Sequence, residues 1–101
     1  MKEIKVESII NKTNQLNIID IRDSYLYNLG NIPNSMNIPM NFLLMNPSEY
    51  LDKDNTYYIY CNYGVNSKNA CEKLTNKGYK VINIIGGYNE YKNCINKTNY
   101  Y

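Results

Sequence analysis

Apolar residues along this chain fall in short runs of strand length, separated by stretches with helical spacing. Leu16 to Ile21, LNIIDI, is a near-continuous apolar run, the pattern of a parallel strand covered on both faces, and is expected to be central. Thr56 to Tyr60 is rich in aromatic and branched residues and predicts a second buried strand. Shorter strands are predicted at Ile4 to Val6, Met36 to Ile38 and Tyr79 to Ile85. Between them lie helical stretches: Glu7 to about Thr13, ended by Asn14; Ser24 to Leu29, stopped by Gly30; and Met40 to Met45, ended at Pro47. From Ser67 the period is helical again, with Ala70, Cys71 and Leu74 on one face and Lys68, Lys73 and Lys77 mostly on the other, until Gly78 stops it. Gly86-Gly87 breaks the last strand and Tyr88 to Asn93 predicts a short final helix. Cys94 to Tyr101 reads as a polar, frayed tail. Strands alternating with helices argue an α/β fold with a mainly parallel central sheet, helices on both faces, and function at the carboxyl ends of the strands.

Composition narrows the classes. With 101 residues the chain is the size of one domain that buries a core without disulfide or metal staples. A formal charge of +2, with the lysines scattered, argues against a nucleic-acid surface. No apolar run approaches membrane-spanning length and the first ten residues lack the clean apolar stretch of a signal peptide, so a cytoplasmic location is expected. Three irregularly spaced cysteines do not make a disulfide framework. The absence of histidine removes Cys-His and Ser-His nucleophile pairs and histidine metal sites. The excess of asparagine, isoleucine and lysine points to an AT-rich genome, against which Arg22, the sole arginine, stands out.

The candidate chemistry lies in YIYCNYGVNSKNAC, Tyr58 to Cys71. Cys61 directly follows a predicted buried strand, Gly64 gives the loop its backbone freedom, and Ser67 is the expected cap of the helix that follows. A loop wrapped this way turns successive N–H groups inward, and the positive end of the helix adds to them, so an anion such as a thiolate is stabilised at its centre. Cys71, on the apolar face of its helix, reads as core, and Cys94 as incidental.

At this loop the chain resembles the rhodanese (sulfurtransferase) family, and three further stretches agree. Leu16 to Pro39 is similar to the family's strand ending in Asp-Val/Ile-Arg and its Gly-His-Ile-Pro-Gly-Ala-x-Asn-Ile-Pro segment, here GNIPNSMNIP. Leu74 to Tyr91 is similar to the family's helix end, strand and Gly-Gly-Trp-x-x-Trp close, with tyrosines in both tryptophan places. The resemblance implies a three-layer rhodanese-like domain over 1–93. In it Cys61 accepts a sulfane sulfur from thiosulfate or a persulfide donor, holds it as a persulfide, and passes it to a thiophilic acceptor. Asn62, Tyr63, Gly64, Val65, Asn66 and Ser67 would bind the substrate, and Asp20 and Arg22 would support the loop, with a surface ion pair as the plainer reading of those two. No metal or cofactor is implied. The implied partners are small sulfur donors and thiol acceptors, a thioredoxin-like or sulfur-trafficking protein among them, with the protein itself a monomer.

Two features depart from the family pattern. Where many relatives close the loop with Arg-Ser, this chain has Asn66-Ser67, and the family's histidine before Ile-Pro is Asn31, expected to keep a local hydrogen bond. A catalytically weak binding module is therefore the alternative reading. The loop of six residues, Cys61 to Asn66, is one shorter than in relatives that act on phosphate or arsenate, so a larger tetrahedral anion is expected to fit poorly. Lys68, in the first helical turn, is a candidate for attracting anions.

Overall fold

The computed structural model describes residues 1–98. The strands are β1 (Lys2–Lys5), β2 (Ile18–Asp20), β3 (Ser35–Asn37), β4 (Thr56–Tyr60) and β5 (Lys80–Ile85); the helices are α1 (Ser24–Leu29), α2 (Met40–Met45), α3 (Val65–Asn76) and α4 (Gly87–Thr98). All the strand pairings are parallel, and the sheet order is β1-β5-β4-β2-β3. β4 is thus the middle strand, while LNIIDI supplies β2, interior but one place from the edge.

Alternation along the strands sorts the core into two layers, one on each side of the sheet. Ile19, Ile59, Cys61 and Val81 pack with Leu43 of α2 and with Ala70, Cys71 and Leu74 of α3. Ile18, Tyr60 and Ile84 face the other way, against Val6, Ile9, Ile32 and, from α4, Tyr88, Tyr91 and Cys94. The result is the expected three-layer α/β arrangement.

Two local expectations fail, for physical reasons. Glu7 to Thr13 does not form an α-helix: it holds only 3-10 turns at Val6–Ser8 and Thr13–Gln15, with the amides of Ile9 and Ile10 both donating to Val6 O. Ile9, Ile10, Asn11 and Thr13 make this stretch a poor helix former, and burying Val6 and Ile9 under α4 decides its path. Conversely, the last helix does not end at Asn93. α4 continues to Thr98 because Tyr88, Tyr91 and Cys94 make an apolar stripe at helical spacing, which the intervening asparagines and lysines obscure in the sequence. Residues 99–101 of the expected tail lie outside the described residues. Among the described residues no helix is long and apolar enough to cross a membrane.

Candidate active site

Following β2 the chain runs to its neighbour β3, and following β4 it runs the opposite way, to β5. Adjacent strands whose connections diverge leave a crevice at their carboxyl ends. Both strand ends carry candidate residues: Asp20 closes β2, and Cys61 comes directly after β4, where the amide of Ile21 donates to Tyr60 O at 3.0 Å.

The loop folds around the sulfur. The amides of Gly64 and Ser67 donate to Cys61 Sγ at 3.2 and 3.3 Å. Gly64 has φ +91°, a conformation that favours glycine, and it is the residue preceding α3. The helix therefore begins at Val65, and Ser67 is not its cap. Ser67 is instead fully buried within the first turn, its Oγ accepting from the Cys61 thiol at 3.3 Å and donating to Asn83 Oδ1 at 2.5 Å. The start of α4 fixes the loop from the far side, with the amides of Tyr88 and Asn89 donating to Cys61 O at 2.8 Å and Asn62 O at 2.9 Å. That contact needs a glycine: at Gly87, φ +59°, a Cβ would collide with Cys61 O and the Asn62 carbonyl group.

Asp20 and Arg22 form no surface pair; they are 0% and 6% exposed. Arg22 Nε donates to both Asp20 oxygens at 3.0 Å and Nη2 to Oδ2 at 2.6 Å. The rest of the fork donates to Gly30 O at 2.7 Å and to Asn62 Oδ1 at 3.3 Å, and the guanidinium carbon lies 4.4 Å from the centre of the Tyr88 ring. Burial pulls the guanidinium pKa down, but the hydrogen bonds and charge of Asp20 outweigh it and the net shift is upward. Arg22 thus ties β2, the turn at Gly30, the cysteine loop and α4 together through a planar fork that a lysine ammonium does not reproduce.

Above the sulfur opens a cavity of about 700 Å3, lined by Ile21, Leu26, Met40 and Leu44 on one side and by Asn62, Tyr63, Val65 and Asn66 on the other. The charged residues lining it are Arg22, held by Asp20, and Asp23. Tyr63 and Val65 are exposed at the rim, as is Asn66. Lys68 is exposed and does not line the cavity. Of the residues expected at the site, Cys61, Asn62, Gly64 and Ser67 converge on the sulfur or its loop, while Tyr63, Val65 and Asn66 surround the opening.

The other thiols are held neutral. Cys71 is pushed up to about 12 by burial and then by the charges of Glu3 and Cys61. Cys94 is not incidental: it is buried, its thiol donates to Glu7 and Glu90 at 3.6 Å, and burial together with those carboxylates pushes it up to about 11. Asn31 keeps a local hydrogen bond, Nδ2 donating to Tyr27 O at 3.0 Å. Reading the sequence alone missed Asn83 and Glu3 behind Ser67. The available signal was a lone polar residue in the otherwise apolar run VINII.

The family model described as "Rhodanese-like domain" matches residues 4–94. Among curated proteins, the chain is 33% identical over 90 residues to a putative sulfurtransferase, YtwF, of Bacillus subtilis, covering 86% of each chain. It is 34% identical over 91 residues to a sulfurtransferase of Allochromatium vinosum, covering 86% of this chain and 84% of the other. Among solved structures, a rhodanese-like domain protein from Staphylococcus aureus superposes with a TM-score of 0.77 at 32% identity, over 86% of this chain and 87% of that one. These likenesses support a sulfurtransferase-type role.

Proposed function

Because the chain belongs to the rhodanese-like domain family, we propose that it moves a sulfane sulfur from thiosulfate or a persulfide donor to a thiophilic acceptor through a persulfide on Cys61. The observation that carries this reading is the sulfur atom itself, held by two backbone amides at the floor of a cavity open to a donor. The Cys61 thiolate attacks the outer sulfur of the donor. A Cys61 S–S bond forms, the donor's own S–S bond breaks, and the electron pair leaves with sulfite or with the donor thiolate. The terminal sulfur of the persulfide then carries the negative charge. The amides of Val65 and Asn66, in the first turn of α3, have no acceptor within the helix and remain available to that charge, supported by the helix dipole. An acceptor nucleophile takes the terminal sulfur and the Cys61 thiolate is regenerated.

The charge of the cavity bears on the donor. Its one guanidinium is engaged by Asp20, and Asp23 contributes a negative charge, so a dianion such as thiosulfate meets no free cation among the lining residues. Leu26, Met40 and Leu44 favour a donor whose sulfur is attached to a larger organic thiol, small or protein-borne. The same neutral lining favours the second reading, a binding module with negligible turnover on thiosulfate.

Mass spectrometry after incubation with thiosulfate and with glutathione persulfide separates the two. One added sulfur on Cys61, removable by cyanide and lost in Cys61→Ser, is the expected result, with the persulfide the better donor. Cys61 is buried, but serine is nearly isosteric with it and its hydroxyl meets the same Gly64 and Ser67 partners, so the stability of Cys61→Ser is expected to stay within about 1 kcal/mol of the parent. Retention of no sulfur from either donor by a folded protein would leave the binding module as the function.

A further inference from the structure

Behind the sulfur, a hydrogen-bonded chain crosses from the active loop to the edge of the sheet. Cys61 Sγ lies 3.3 Å from Ser67 Oγ, Ser67 Oγ donates to Asn83 Oδ1 at 2.5 Å, and Asn83 Nδ2 donates to Glu3 Oε2 at 2.9 Å. Glu3 and Asn83 are register partners in the pairing of β1 with β5. Asn83 and Ser67 are buried; Glu3, on the edge strand, is exposed.

The direction of this chain is fixed by its outer end. An ionised carboxylate only accepts, so the amide of Asn83 turns its NH2 toward Glu3 and its oxygen toward Ser67. That oxygen needs a donor, and the Ser67 hydroxyl proton is committed to it. Ser67 therefore presents a lone pair to Cys61, which suits an S–H and not an S⁻. Turning the hydroxyl toward a thiolate would strip Asn83 Oδ1 of its donor in a buried site, and flipping the amide would set that oxygen against the Glu3 carboxylate. The two loop amides stabilise negative charge on the sulfur, and this chain opposes it.

We propose that Glu3 is a positioning residue: through Asn83 it fixes the direction of the Ser67 hydroxyl and holds Cys61 as a hydrogen-bonded thiol between turnovers. The inference rests on Cys61 being the reacting group of the proposed function, and its test reads thiol chemistry without turnover. Cys71, one turn further along α3, is influenced by the charges of both Glu3 and Cys61 and, pushed up to about 12, stays neutral in the range of the experiment.

The experiment is the pH dependence of Cys61 alkylation by iodoacetamide, followed by peptide mass spectrometry on the full chain. In Glu3→Gln the new amide is able to donate to Asn83 Oδ1. Asn83 then donates to Ser67, and the hydroxyl is released toward the sulfur. Alkylation near neutral pH is expected to rise about tenfold, its midpoint moving down by about one pH unit. In a Ser67→Ala background the same substitution is expected to change the rate less than about twofold. Loss of the carboxylate charge alone would act through space, so an equal rise without the Ser67 hydroxyl overturns the proposal, as does no change in Glu3→Gln. Should Ser67→Ala not fold, Asn83→Leu makes the same distinction: it breaks the chain between Glu3 and Ser67, so Glu3→Gln in that background is expected to change the rate less than about twofold, and an equal rise there overturns the proposal. A protein that never turns over sulfur still gives these outcomes, so failure of the proposed function and failure of this inference are distinguishable.

Discussion

Arg22 is the residue whose replacement tests the site's architecture most directly, and Arg22→Lys isolates geometry from charge. Lysine keeps the positive charge beside Asp20 but presents three donors at one point, where the guanidinium reaches Asp20, Gly30 O and Asn62 Oδ1 at once and stacks on Tyr88. The ammonium is able to retain a bond to Asp20; the bonds to Gly30 and Asn62, the second arm of the fork and the ring contact are lost. Hydrogen bonds to charged groups contribute about 1.5–3 kcal/mol each. Removing one partner of a buried pair outright costs about 3–5 kcal/mol, which sets the ceiling because the charge is kept. A net loss of about 2–4 kcal/mol follows. In a domain of this size about 1 kcal/mol corresponds to roughly 4–8 °C, so the melting temperature should fall by about 8–32 °C. Thermal unfolding followed by circular dichroism measures it, and persulfide formation by mass spectrometry on the folded variant shows whether the loop, released at Asn62, still presents its thiol. A fall of less than about 4 °C would refute the reasoning, since the planar fork would then be dispensable and the retention of arginine in a lysine-rich chain would lose its physical explanation.

Asn66→Arg is expected to lower the Michaelis constant for thiosulfate about tenfold, because a cation at the rim adds about 1–2 kcal/mol for a dianion; the effect on glutathione persulfide should be smaller, and steady-state kinetics at fixed ionic strength with both donors would expose an equal response. Gly87→Ala should destabilise by about 2–5 kcal/mol, combining left-handed strain with disruption of the two amide bonds from α4 to the loop, and chemical denaturation that leaves the midpoint unmoved would contradict it. The Cys71 thiol titrates near 9 when unfolded and is pushed up to about 12 when folded, so the stability it contributes is complete below pH 9 and declines as pH rises toward 12; Cys71→Ala should make that decline shallower, as measured by denaturation at a series of pH values. At pH 8 iodoacetamide should label Cys61 while Cys94, held neutral near Glu7 and Glu90, stays unlabelled, and equal labelling of the two would contradict the burial that keeps Cys94 a thiol.

The sequence by itself determined the features that depend on neighbours along the chain. Alternating strands and helices, the buried character of β2 and β4, the glycine loop after Tyr60 and the position of Cys61 at its mouth are all set by local hydrophobic period and turn chemistry. Tertiary structure alone decided the rest, because it depends on what packs across the sheet. The spacing of Glu7 to Thr13 predicts a helix, but its branched residues give little helical preference and burial of Val6 and Ile9 beneath α4 set a tighter path, and the same packing extended α4 past Asn93. Asp20 and Arg22 read equally well as a surface pair until β2, Gly30, the loop and Tyr88 closed around them. Ser67 has the chemistry of a helix cap, yet Gly64 took that position, and the hydroxyl was drawn inward to an asparagine 16 residues on and a glutamate 80 residues from that asparagine. Periodicity reports which face a residue lies on; it carries no information about which distant polar group meets it there, and in this site those meetings direct the hydrogen bonds on the sulfur.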